Sequence, residues 1–114
     1  MQKPVRVSFQ GLDKVDEIET ACLKEAERLE RYYDRMTSCS VVVAVPHRHK
    51  TKGRKYEVRI DMSVPGQELA VTRVPPEHDE EPLEVAVHEA FKTARRRLED
   101  YVSKRADREK RSAS

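Results

Sequence analysis

An α+β fold is expected from this sequence: a two-layer sandwich, β-α-β-β-β-α, with a four-stranded mixed sheet and two helices on one face. Three observations predict it. Apolar residues alternate with polar ones in short runs, two long stretches repeat apolar residues every three or four positions, and a Val-Pro-Gly-Gln turn joins two of the alternating runs. The 114 residues fit one domain. Charged residues make up 39% and hydrophobic residues 37%, so the core must be lean and the surface dense in charge.

The first element is a half-buried strand, because Val5, Val7 and Phe9 alternate with Arg6 and Ser8. Gly11 breaks the pattern, and Asp13 is placed to cap a helix from Lys14 to Met36. In that helix Val15, Ile18, Cys22, Ala26, Leu29, Tyr33 and Met36 form one apolar stripe, uninterrupted by Gly or Pro. Ser38–Val45 is a β-branched strand that buries Cys39, Val41, Val43 and Val45 on one face. A basic loop from His47 to Lys55 follows. Tyr56, Val58, Ile60, Met62 and Val64 then alternate with charged and polar residues, and Pro65-Gly66 occupies the centre of a type II turn. Glu68–Val74 returns as the antiparallel partner, with Leu69 and Val71 inward. Clean alternation means that the other sheet face meets water. After an acidic connector, Pro82 suits the first turn of a second helix reaching about Asp107, with Leu83, Val87, Ala90, Phe91, Ala94, Leu98, Tyr101 and Val102 as its stripe. Residues 1–105 are expected as the folded domain and residues 106–114 as a disordered basic tail. A strand-helix-strand start makes the first two strands parallel, and the last three form a meander.

Several classes of function have little support. No activated Ser or Cys setting, glycine-rich phosphate loop or catalytic carboxylate pair stands out, so no enzyme is expected. His47 and His49 lie two apart but lack the further ligands that zinc requires, and no metal or other cofactor is expected. Cys22 and Cys39 read as buried thiols. The start of the chain carries no apolar signal segment, and no run is long enough to cross a bilayer. The expected location is the cytoplasm, without a membrane or small-molecule partner.

Charge is segregated although the net charge is only +2. His47–Arg59 carries +5, Glu77–Glu89 carries −6, and Arg95–Arg111 carries +4. Lys24, Arg28, Arg31 and Arg35 recur at helical spacing on the solvent side of the first helix. Arg97, Lys104, Arg108 and Arg111 make a similar row on the second helix, with Lys92, Arg95 and Arg96 as a cluster beside it. Spacing alone leaves two readings open. One is a solvated face laced by pairs such as Glu27–Arg31; the other is a surface for phosphate, which guanidinium groups grip with forked hydrogen bonds. Aromatic stacking platforms and helix-turn-helix spacing are missing, so backbone contacts to folded RNA are the nucleic-acid mode that fits.

The chain resembles the ribosome hibernation-promoting and ribosome-associated inhibitor proteins, also called ribosomal subunit interface proteins. The resemblance runs from about Val5 to Val102 and is carried by VRVSFQGL, KEAERLERYYDRMTSCSVVV, YEVRIDMSVPGQELAV and AVHEAFKTARRRLEDY, in that order. The PHRHKTKGRKYEV stretch is similar to one subgroup. The resemblance implies binding of a monomer to the small ribosomal subunit and its rRNA, in the channel used by mRNA and tRNA, with translation blocked and ribosomes stored under stress. It implies rRNA-facing roles for Lys24, Arg28, Arg31, Arg35, Lys92, Arg95 and Arg96; Lys104, from the basic row of the second helix, is a further candidate on its spacing. Arg48, Lys50, Lys52 and Arg54 lie in the loop, whose length varies in the family. Long members carry a C-terminal domain that pairs ribosomes; these 114 residues contain none, so pairing is not expected of them. The competing expectations are a binder of another structured RNA and an adaptor whose acidic stretch docks a basic protein.

Overall fold

Four strands and two helices follow one another along the chain as β1 (Arg6–Gln10), α1 (Asp16–Tyr32), β2 (Ser38–Ala44), β3 (Glu57–Val64), β4 (Gln67–Arg73) and α2 (Leu83–Ser112). This computed structural model describes residues 3–45, 56–74 and 81–112. The strands lie in sequence order in one mixed sheet. β1 runs parallel to β2 with Val7 opposite Val41, while β3 is antiparallel to both neighbours, with Ile60 opposite Val41 and Val71. The expected α+β sandwich is the observed one.

Period-two sequence puts every second side chain under the helices. Cys39, Val41, Val43, Val58, Ile60, Met62, Leu69 and Val71 are buried, and Val7 and Phe9 of the edge strand, with Val5 just before it, pack partly against them. From above, α1 contributes Ile18, Cys22, Ala26 and Leu29, and α2 contributes Ala86, Val87, Ala90, Phe91, Ala94, Leu98 and Tyr101. Both cysteines are buried thiols. Desolvation pushes each up to about 12, with nearby Glu25 and Glu19 adding to the effect at Cys22, and Cys22 and Asp61 adding to it at Cys39.

Two glycines are fixed by geometry. Gly66 has φ +84, the left-handed value demanded of the third residue of a type II turn. Gly11 has φ +78, and a Cβ there would lie 2.6 Å from the Val45 carbonyl oxygen. The backbone closes at that point through Val45 N–H donating to Gln10 O at 2.9 Å.

Helix ends differ from the expectation. Asp13 does not cap α1; Val15 does, its carbonyl accepting from Ile18 and Glu19 N–H while no side chain bonds the first turn. Asp16, Glu17 and Glu19 instead set negative charge against the helix start. The helix stops at Tyr32, four residues before Met36, because Tyr33 turns extended (φ −142, ψ 99) and places its ring edge-on to Tyr101 at 5.7 Å. Met36 is still buried, but from the connector. Pro82 immediately precedes α2, its carbonyl accepting from Val85 and Ala86 N–H. At the far end α2 continues to Ser112, so the expected tail from Ala106 is helical to that point. The residues there are mostly strong helix formers, without Gly or Pro, and the helix spans about 45 Å.

Candidate nucleic-acid interface

The apolar stripe of α2 faces the sheet and α1, which leaves two flanks on either side of it. Helical spacing puts Lys92, Arg95 and Arg96 on one flank and Arg97, Lys104 and Arg108 on the other. The first flank meets α1. A cleft of about 360 Å³ runs between the helices, and Arg28 from α1 lines it together with Lys92, Arg95 and Arg96 from α2. Its floor is apolar, formed by Leu29 and Phe91. Two carboxylates share the cleft, Glu25 and Glu99. Four cations against two anions leave it electropositive, with His88 at one end.

One contact beside the cleft joins the two helices, and others within each helix orient its arginines. The Arg95 guanidinium lies 4.1 Å from the centroid of the Tyr32 ring, a stacked cation–π contact between α2 and the last turn of α1. Its Nε donates to Glu99 at 3.3 Å. Arg28 donates to Glu25 at 2.7 Å through one of its five N–H groups. By contrast Lys92 and Arg96 are exposed and form no ion pair among the described residues.

The second flank of α2 faces the β3–β4 turn. There Arg97, Arg105, Lys104 and Arg108 border a cleft of about 350 Å³ against Pro65, Gly66 and Gln67. Tyr101 donates its hydroxyl hydrogen to the Pro65 carbonyl at 2.6 Å, and Arg105 in turn donates to the Tyr101 oxygen at 3.4 Å. Lys104 pairs with Asp100 at 3.1 Å.

The residues expected from sequence are therefore divided. Arg28, Lys92, Arg95 and Arg96 converge. Lys24 and Arg31 are exposed on α1 but do not line the cleft, and Arg31 is held by Glu27 at 2.7 Å. Arg35 lies in the turn after α1 rather than on it. Lys104 belongs to the second cleft. Arg48, Lys50, Lys52 and Arg54, with His47 and His49, lie outside the described residues. Sequence reasoning missed Tyr32, Glu25, Glu99 and Arg105. The Glu25–Arg28 and Arg95–Glu99 spacings were open to view, whereas the Tyr32–Arg95 contact depends on how the helices pack.

Among the described residues no group of three His, Cys, Asp or Glu could hold a metal ion, and no helix is long and apolar enough to cross a membrane. A sequence model of the sigma 54 modulation protein / S30EA ribosomal protein family matches residues 5–106. No curated protein matches significantly. Among solved structures, the Protein Y N-terminal domain of Thermus thermophilus is similar with a TM-score of 0.66 and 20% identity, over 84% of this chain and 94% of that one. A ribosomal subunit interface protein from Coxiella burnetii is similar with a TM-score of 0.70 and 14% identity, over 87% and 97% of the two chains. At such identities these likenesses concern the fold.

Proposed function

The chain belongs to the sigma 54 modulation protein / S30EA ribosomal protein family, and we propose that it binds the small ribosomal subunit as a hibernation factor, occluding the channel used by mRNA and tRNA. The observation that carries this reading is the shared cleft: Arg28 from α1 and Lys92, Arg95 and Arg96 from α2 open onto one surface. Cations fixed on two packed helices suit a phosphate backbone of folded rRNA read by shape, and they need no base-stacking platform. The second row, Arg97, Lys104 and Arg108, gives α2 a further line of contact on its other flank. Lys24, Arg31 and Arg35 on and after α1, and Arg48, Lys50, Lys52 and Arg54 in the loop, extend the cationic surface at the level of sequence.

The action is steric. A bound domain excludes mRNA and the anticodon ends of tRNA without chemistry or cofactor. The protein acts as a monomer in the cytoplasm, where ribosomes are. Sedimentation of lysate on a sucrose gradient tests this. Wild-type protein should travel with small subunits or whole ribosomes, and R28E/R31E/R96E should stay near the top. A wild-type chain that remains at the top, yet captures a protein partner after nuclease treatment, would support the adaptor instead.

A further inference from the structure

The cleft contains its own competitor for phosphate, and we infer that Glu25 and Glu99 limit the affinity of the site and make its complex releasable. This rests on the reading of the cleft as an rRNA site. Both carboxylates lie inside the cleft, among the four cations. Glu25 holds Arg28 at 2.7 Å, and its side chain is 24% exposed beneath an arginine that is 69% exposed. A phosphate arriving from solvent meets the guanidinium first. If it takes the free edge of the fork, two anions share one cation; if it displaces Glu25, a half-buried carboxylate loses its partner. Either route subtracts from the contact.

Glu99 repeats the arrangement on α2. Its bond to Arg95 is 3.3 Å, longer than a strong charge-assisted hydrogen bond. The cation precedes the anion in this pair, the weaker order for a helix, so the pair supports α2 only a little. Arg95 is already oriented by the Tyr32 ring. What Glu99 adds is negative charge where phosphate would sit.

The exchange is read in affinity and dissociation rate. Counterions are released from the RNA's phosphates, so each cleft cation that reaches one adds to the salt slope, paired or not, and the carboxylates act on the strength of the contact.

Binding of purified small ribosomal subunits, measured with its dissociation rate from 50 to 300 mM salt, tests the assignment on wild type, E25Q/E99Q and E17Q/E84Q. The last variant removes the same two charges from exposed first-turn positions outside the cleft. E25Q/E99Q should bind about three- to tenfold tighter and dissociate more slowly across the salt range. E17Q/E84Q should change far less. If E25Q/E99Q binds like wild type, or E17Q/E84Q tightens as much, the assignment is overturned. Wild-type protein that fails to bind the subunit overturns the underlying reading instead, a result separate from either of these.

Discussion

Arg95 of α2 stacks on the ring of Tyr32, 4.1 Å from its centroid, and this contact joins the last turn of one helix to the middle of the other. It makes the cleft a fixed surface rather than two independent rows of charge. Tyr32→Ala should destabilise the protein by about 0.5–1 kcal/mol, and Tyr32→Leu by a similar amount, while Tyr32→Phe keeps most of the contact. Urea denaturation checks the order. Small-subunit binding should follow the same order, because an unstacked Arg95 loses its aim.

The Tyr101 hydroxyl ties α2 to the β3–β4 turn through the Pro65 carbonyl at 2.6 Å. Tyr101→Phe keeps the packed ring and removes only the donor, so a loss of about 1 kcal/mol is expected in equilibrium unfolding. No loss at all would mean that water replaces the hydroxyl.

The two left-handed glycines should respond unequally to alanine. At Gly66 a Cβ meets nothing within 4 Å, so only the φ of +84 is strained, and about 1 kcal/mol should be lost. At Gly11 the same strain is joined by a Cβ at 2.6 Å from a backbone oxygen, which must shift. Gly11→Ala should therefore be the more damaging by at least about 1 kcal/mol in urea unfolding.

Much of this was legible in the sequence because one sheet face is buried and the other is not. Alternation at Val58, Ile60 and Met62 showed both the strand and its buried face, since a slip by one residue would expose all three. Helix ends were less legible. Asp13 had the right chemistry for a cap, but Val15 holds the position, and Tyr33 leaves α1 to meet Tyr101, a residue distant in sequence. The charged end of α2 read as a tail because it lacks an apolar stripe, although its residues favour helix. Of the cationic residues, sequence placed Lys24, Arg28 and Arg31 on the first helix and Lys92, Arg95 and Arg96 on the second, but it also put Arg35 on the first, where the structure has a turn. Which rows face each other follows from helix packing, and so did the sharing of one cleft by Arg28 and Arg96.

Cys22 and Cys39 give a prediction in pH. Burial raises both thiols from the ordinary value of 9.0 to about 12, so the folded state keeps protons that the unfolded chain releases. Stability is then fully present below pH 9 and is lost as pH rises toward 12. Cys22→Ala/Cys39→Ala should flatten this alkaline loss in urea titrations. In native wild-type protein at pH 8 both thiols should react slowly with a thiol reagent, and rapidly once urea unfolds the chain.

The central claim is that rRNA phosphates are held at the cleft between α1 and α2, and one binding measurement addresses its location. Affinity for purified small ribosomal subunits is compared between R28Q/R96Q, in the cleft, and R6Q/R59Q, on the open face of the sheet, as salt is varied. The two variants lose the same charge. The cleft variant should bind about tenfold or more weakly, with a salt slope shallower by about 0.7 or more, and the sheet variant should stay within about twofold of wild type. Equal losses in the two variants, or none in the cleft variant, would contradict the account.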